Sequence, residues 1–384
     1  MSVTVLRPAA PDLDRILPQL TSAFAATAGA HDRDASFPFE NFERLRQENL
    51  LALTAPRRLG GQEADLPTAL RVVSAVAKGD PATALVLTMQ YLNHAGLEGR
   101  SGWTEALKSK VVRSAIDEGG LVNALRVEPE LGTPARGGLP ATIARRTPDG
   151  WRITGRKIYS TGSVALKWFI VWARSDDPEP LVGGWLVRSD TPGITIEESW
   201  DHLGLRASAS HDVVFDSVLV PLDQALDPQP VGSALPYPPH FAAWSAVLTA
   251  GIYDAVAQAA RDWLVGYLIH RKPTNLGASL STLPRFQEAV GVIDGLLFSN
   301  KVLLQTAARG ETGGVESSLV KHLVTQNAIL AVDKALELTG NPGLTRHNPL
   351  ERHHRDVLCG RIHTPQSDVV LTSAGRAAFA DFSI

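Results

Sequence analysis

The sequence predicts an α+β protein ordered as helix, then sheet, then helix, and three observations carry that prediction. Alanine and leucine, both good helix formers, are plentiful along the 384 residues. Trp151, Trp168, Trp172, Trp185 and Trp200 crowd into the middle third together with β-branched residues, a composition that favours strands. The turn signals Thr147-Pro148-Asp149-Gly150, Asp176-Asp177-Pro178 and Asp190-Thr191-Pro192-Gly193 punctuate that third at short intervals, as in an antiparallel barrel or sandwich.

Residues 1–121 read as an N-terminal α-helical domain. Phe37-Pro38-Phe39-Glu40 opens one helix, whose buried face includes the Leu45, Leu50 and Leu51 region, and Pro56 with Gly60-Gly61 breaks the pattern. A second helix runs from Pro67 toward Val76 and a third from Pro81 toward Leu97. Asp80-Pro81 supplies the N-cap and first-position proline of the third. Residues 122–228 read as a middle β-domain, with strands at 151–156, 167–174, 183–188, 193–198 and 212–220. Pro228, Pro230, Pro236, Pro238 and Pro239 mark 226–240 as a linker. Residues 229–384 read as a C-terminal helical bundle domain. Its helices span about 240–270, then 285–309 with Val290, Ile293 and Leu297 in phase. A third spans 316–339 with Leu319, Leu323 and Leu330 near one face and Gly340 at its end, and a fourth 350–361. Four such helices make a four-helix bundle.

Composition excludes several functions. The net charge is −3 with no basic stripe, so nucleic acid is not the expected partner. A single cysteine, Cys359, rules out an internal disulfide framework and an all-cysteine iron–sulfur site. The opening MSVTVLRPAAPDLDRIL lacks the apolar core of a secretory signal. Asp254 interrupts the longest candidate for an uncharged membrane span, around 241–260. The expectation is a soluble, cytoplasmic protein with no membrane partner. His347, His353 and His354 lack a carboxylate or cysteine that completes a ligand spacing, so they read as a solvated helix rather than a metal site.

The stretch 151–174 carries the functional signal. It reads as strand, polar turn and strand. The turn Tyr159-Ser160-Thr161-Gly162-Ser163 holds an aromatic, three hydroxyls and a glycine in five positions. Such a turn can lie against a flat polar ring, with hydroxyls and backbone N–H groups donating to it. The same residues also suit an ordinary hairpin with a Ser/Thr-rich connection.

Four segments in order resemble the acyl-CoA dehydrogenase superfamily of flavoproteins. They are APRRLGG at 55–61, WRITGRKIYSTGS at 151–163, DHLGLRASASHDVVFDSVLVP at 201–221 and ELTGNPGLTRHNPLERHHRD at 337–356. The resemblance implies a helical domain, a middle antiparallel β-barrel domain and a C-terminal four-helix bundle, assembled as a homotetramer. It implies a flavin, FAD with FMN as the alternative. Tyr159 and Thr161 would pack against the ring. Arg271 and Thr274 match an arginine loop that contacts the pyrophosphate, and Gln287 matches its accompanying glutamine. Gly340, Asn341 and Gly343 would approach the cofactor through backbone N–H groups. A neighbouring subunit commonly contributes to the cofactor's far end. Arg271 taken alone also reads as a cation favoured at a helix C-terminus. No Gly-x-Gly-x-x-Gly follows a strand, which argues against a Rossmann-bound nicotinamide.

The chain departs from that family at the catalytic base. Thr364 takes the place of the glutamate that follows the Arg355-Asp356 pair, Trp244 takes the place of an alternative carboxylate, and Val127 replaces a hydroxyl residue in the altered loop 127–133. Threonine is no base near neutral pH, and general-base catalysis is worth ~10²–10⁴ in rate. His363 stands beside the missing base and resembles the flavin monooxygenase branch, which includes dibenzothiophene and hydroxyphenylacetate monooxygenases. Those enzymes take reduced flavin, bind O₂ at its C4a and insert one oxygen into the substrate. Ser160 and His94 match that branch's other polar pocket residues. His363 also reads as a capped or surface histidine, and His94 as a helix-end histidine. The implied partners are a small-molecule substrate and a flavin reductase or electron-transfer flavoprotein. Two rival readings follow. One is an acyl-CoA dehydrogenase with a displaced base, Asp368 or Glu128, although Pro365 disfavours helix around Asp368. The other is a non-catalytic flavin-binding or structural member.

Overall fold

A computed structural model describes residues 11–99, 102–131, 138–233 and 241–380 of the chain. Its N-terminal part holds α1 (Leu13–Asp34), α2 (Phe39–Gln47), α3 (Leu66–Gly79), α4 (Pro81–Ala95) and α5 (Glu105–Glu118). The start of α4 follows from its residues. Asp80 accepts hydrogen bonds from the Ala82 and Thr83 backbone N–H groups, and Pro81 occupies the first turn, where no donor is missed. Leu45 is buried on α2, but Leu50 and Leu51, expected on the same helix face, are buried beyond its end at Gln47, where the chain has already left the helix. The first and last of these five helices, α1 and α5, had not been resolved by sequence pattern as separate elements.

The middle of the chain forms one eight-stranded sheet in the order β6-β7-β3-β2-β4-β5-β8, with β1 paired beside β4. The strands are β1 (Leu121–Leu125), β2 (Ile143–Thr147), β3 (Gly150–Lys157), β4 (Leu166–Ser175), β5 (Leu181–Arg188), β6 (Ile194–Glu197), β7 (Asp212–Val220) and β8 (Ala225–Pro230). Most pairings are antiparallel, while β1 and β2 each run parallel to β4. The sheet curls, bringing Phe169 of β4 edge-on to Phe215 of β7 and Trp151 of β3 edge-on to Trp185 of β5. The near-continuous apolar run of β4 has a physical reason, since the strand is buried on both faces. Phe169, Val171 and Ala173 enter the main core, while Trp168 and Ile170 pack with Leu107 and Val111 of α5.

The proline-rich stretch is not a plain linker. Residues 225–230 form β8 against β5, and prolines are tolerated there because β8 is an edge strand. Residues 234–240, with Pro236, Pro238 and Pro239, lie outside the described residues.

The C-terminal part contains α6 (Phe241–His270), α7 (Pro284–Ala308), α8 (Gly314–Thr339), the short α9 (Asn341–Leu344), α10 (Leu350–Leu358) and α11 (Ser367–Ala380). Helices α6, α7 and α8 pack on one another, with α10 and α11 against α8. Three expectations are corrected here. Leu323 and Leu330 face outward, because α8 turns Val324, Ala328 and Val332 into the core instead. Asp368 does lie in a helix, since α11 begins two residues beyond Pro365. His353 is also not solvated: it is buried, and desolvation with the nearby Arg352 charge pushes its pKa down to about 3. No helix among the described residues is long and apolar enough to cross a membrane. No described cluster of histidine, cysteine and carboxylate could hold a metal.

Candidate active site

The turn between β3 and β4 is held by the segment 201–211 rather than by its own hairpin. The Ser160 N–H donates to the His211 carbonyl (3.2 Å), the Gly162 N–H to Ser208 (2.9 Å), and the Ser163 N–H and hydroxyl both to Ala209 (3.1 and 2.7 Å). This clamp holds Tyr159 at φ 55°, a left-handed conformation uncommon for a bulky residue. The Tyr159 ring stands edge-on to Trp200 and His202, which stack on each other with centroids 3.6 Å apart. A chain of hydroxyls runs beneath it: Ser208 and Ser210 are 2.8 Å apart, and Ser210 donates to Thr161 Oγ1 (3.1 Å). Asn123 of β1 donates to the Thr161 carbonyl (3.1 Å). Ser160 Oγ is buried and has no hydrogen-bond partner among the described residues.

His363 sits on the helical side. Its Nδ1 is hydrogen-bonded to the Tyr253 hydroxyl, which comes from the buried middle of α6. Lys321 of α8, also buried, donates to the His363 and Gly360 carbonyls (2.7 and 2.8 Å) and so fixes the loop that carries the histidine. Desolvation, with the Lys321 charge beside it, pushes the His363 pKa down to about 4, and desolvation lowers Lys321 to about 8. Burial raises the Tyr253 pKa well above its ordinary value. Tyr253 therefore keeps its proton, and at neutral pH His363 is an uncharged imidazole. With the Tyr253 hydroxyl as donor, Nδ1 accepts and the imidazole proton lies on Nε2.

The turn and the His363 loop are linked through α10. The Leu205 N–H donates to the buried Asp356 carboxylate (2.7 Å). Gly204 passes so close that an added Cβ would fall 2.4 Å from the Arg355 carbonyl oxygen, which explains the glycine of DHLGLRAS.

The other sequence-derived candidates lie elsewhere. His94 is fully buried in the last turn of α4, and desolvation pushes its pKa down to about 4. It neighbours Gln90, which bonds the Leu51 and Gly120 carbonyls and the Val122 N–H. No described hydrogen bond joins His94 to Ser160 or His363. Arg271 and Thr274 are exposed in the loop after α6, and Gln287 donates to the Ser281 carbonyl (3.0 Å) at the start of α7. Gly340, Asn341 and Gly343 form the turn from α8 into α9. A Cβ on Gly343 would lie 2.1 Å from Thr339 Oγ1. Glu128 is enclosed: it accepts from Lys157 (2.5 Å), the Thr142 hydroxyl (2.6 Å) and the Ala141 and Thr142 N–H groups. In the altered loop, the Val127 carbonyl accepts from the Ile158 N–H (3.0 Å), and residues 132–137 lie outside the described residues. Pattern reading passed over Tyr253, Lys321 and Asn123, none of which carries a local sequence signal. Ser208 and Ser210 lay in the ASAS of 207–210.

Comparison with known proteins agrees with this layout. The chain matches the acyl-CoA dehydrogenase N-terminal domain over residues 19–116, the middle domain over 126–218 and the C-terminal domain over 244–379. A putative acyl-CoA dehydrogenase of Bacillus subtilis, YdbM, is 31% identical over 375 residues, 94% of this chain and 95% of its own. An L-evernosamine nitrososynthase of a Micromonospora species is 30% identical over 402 residues, 98% of this chain and 92% of its own. Among solved structures, KijD3 in complex with FMN and a dTDP-linked amino keto sugar has a TM-score of 0.82 at 28% identity, covering 98% of this chain and 95% of KijD3. The chain therefore belongs to the acyl-CoA dehydrogenase superfamily and is a flavin-dependent oxidoreductase. A flavin fits the turn on the structure's own terms. The orphaned Ser160 hydroxyl, the half-exposed Tyr159 ring and the Thr161 hydroxyl offer the polar and apolar contacts that a flat heterocycle needs.

Proposed function

We propose that this protein is a monooxygenase that uses reduced flavin and O₂, with the turn Tyr159–Thr161 and His363 as its active residues. One observation carries the reading: where the resemblance puts a carboxylate base, this chain has Thr364 and, next to it, a histidine held neutral by desolvation and the Lys321 charge and hydrogen-bonded to Tyr253. A neutral imidazole with an Nε2–H can donate a hydrogen bond to an oxygen atom. Depressed so far, it is too weak a base to take an unactivated α-proton. The rival bases gain little support. Glu128 is spent on Lys157 and the 141–142 backbone, and Asp368 is exposed in the first turn of α11.

When bound, reduced flavin supplies the activation of O₂. Ser160 would hydrogen-bond the cofactor or substrate edge, Tyr159 and Thr161 would hold the ring, and His363 would orient the oxygen to be transferred. His94 is proposed as a second polar wall reached from α4. The kinship to an amino-sugar nitrososynthase makes amines the substrates to test first. FAD is the cofactor proposed, because Arg271, Thr274 and Gln287 suit a pyrophosphate. The FMN complex of KijD3 supplies the alternative, and the mass of the flavin released on denaturation separates the two. Electrons would come from a flavin reductase. A homotetramer is proposed as the assembly, since Phe298, Leu330 and Phe379 leave apolar surface on α7, α8 and α11. The three domains are proposed as 1–121, 122–228 and 229–384.

The experiment is turnover under ¹⁸O₂ with a reductase and a panel of amines. Incorporation of one labelled oxygen per product supports monooxygenation. Anaerobic bleaching of the oxidised flavin by an acyl thioester, with no label transferred, would establish a dehydrogenase instead.

A further inference from the structure

A cleft of about 540 Å³ opens between α1, the 202–206 segment and α10, and its charges do not balance internally. Two carboxylates line it, Asp32 and Glu351, and both are consumed by Arg355. That guanidinium makes two bonds to Asp32 (2.9 and 2.6 Å) and two to Glu351 (2.8 and 3.0 Å). Arg206 is tied to Asp201 and to backbone carbonyls. Arg33 pairs with its neighbour Asp34 (3.5 Å), and Arg352 and Arg346 remain. Arg352 is only 8% exposed, yet it makes no hydrogen bond or ion pair to any described residue, and its Nε is buried without a partner. Buried Asp80 and Asp356 lie within electrostatic reach of Arg352 but not in contact, being bonded to Thr83 and to the Leu205 N–H. Arg346 is exposed at the rim and also unpaired among the described residues. The buried Nδ1 of His202, whose ring touches Tyr159, is likewise without a partner.

Guanidinium groups are rarely buried without an acceptor, because losing hydration with nothing in exchange costs several kilocalories. A planar fork of donors facing an open cleft matches a tetrahedral oxyanion. Gly29 of α1 supports the fit. An added Cβ there would press to 3.3 Å from Arg352 Nη1, so the glycine leaves room for the guanidinium head.

We propose that this cleft binds the phosphoryl group of a ligand, with Arg352 as the buried anchor and Arg346 as the rim contact. The ligand is a phosphate or diphosphate ester of a nucleotide-linked substrate; the flavin's own phosphate, assigned above to Arg271, Thr274 and Gln287, is the competing outcome that the test separates. The proposal stands whether or not the enzyme is an oxygenase.

Calorimetric titration of the purified protein with inorganic pyrophosphate, dTDP and FMN tests it. Saturable binding of at least one is expected, weakened about 10–100-fold by Arg352→Gln and less by Arg346→Gln, the range for a lost charge-assisted hydrogen bond. Arg352→Lys, which keeps the charge but loses the fork, should fall between. If pyrophosphate competes with FMN, the anion is the flavin's phosphate. If the two bind together, it belongs to another ligand. Absence of saturable binding by all three probes overturns the proposal, as does binding undiminished in both glutamine variants. Should Arg352→Gln fail to fold by circular dichroism, the exposed Arg346→Gln variant decides alone.

Discussion

The Tyr253 hydroxyl and His363 Nδ1, separated by 110 residues of chain, are joined by a hydrogen bond whose direction sets which ring nitrogen carries the histidine's proton. Tyr253 is buried and keeps its own proton, and with that hydroxyl as the donor Nδ1 accepts and Nε2 carries the imidazole proton. His363→Ala should lower turnover by ~10²–10⁴ and cost only about 1 kcal/mol of stability, that of the lost Tyr253 bond, since the residue itself is half-buried. Steady-state kinetics beside a thermal melt checks both. Retention of full turnover would remove His363 from the site.

Tyr253→Phe keeps the ring and deletes the donor. The histidine should then populate both tautomers, visible in its ¹⁵N chemical shifts, with turnover falling about tenfold and stability by about 1 kcal/mol. Unchanged shifts would mean that the bond does not govern the tautomer.

Ser160→Ala removes a hydroxyl that is bonded to none of the described residues. The fold should not notice, with a change within about 0.5 kcal/mol, whereas turnover or the flavin absorption spectrum should shift. A large loss of melting temperature without a spectral change would make Ser160 structural.

Glu128 and Lys157 form a fully buried pair, with Lys157 0% and Glu128 2% exposed. Desolvation alone would raise the Glu128 pKa, but Lys157, Thr142 and the Ala141 N–H hold it below the usual carboxylate range. Glu128→Gln should cost ~3–5 kcal/mol, because it leaves the lysine charge unanswered. Were Glu128 the displaced base, the same variant would instead abolish turnover and leave the melt intact.

Stability should fall as pH drops from about 6.5 toward 4. The folded pKa values of His94 and His363 are pushed down to about 4 and that of His353 to about 3, all by desolvation first. Each is depressed below its unfolded value, so the unfolded chain binds more protons in that window and gains on the native state. Asp356, which burial raises to about 7, works in the opposite sense together with Asp80 and Asp254, also raised by burial, and the three aspartates favour the native state at acid pH and offset part of the histidine effect. Urea unfolding at pH 7, 6, 5 and 4 measures the net slope. His353→Gln should flatten it.

Helix order, the strand-rich middle and most element positions were legible in the chain, because they rest on local periodicity and on punctuation by Gly, Pro and Asp. Asp80-Pro81 caps a helix wherever that helix packs. The polar turn 159–163 was visible for the same reason, as a concentration of residue types in five positions. Tertiary structure decided what those residues face. No local pattern could place Tyr253 against His363 or aim Lys321 at the His363 loop. Nor could it turn the leucine stripe of α8 outward, since burial is a property of the packed neighbours. The 226–240 stretch shows the limit from the other side: its prolines signal a break, but pairing with β5 makes an edge strand of 225–230. Sequence by itself determined the elements and the chemical inventory. Packing decided which buried groups remain neutral, which charges are answered, and that Arg352 is left facing a cleft with no acceptor among the described residues.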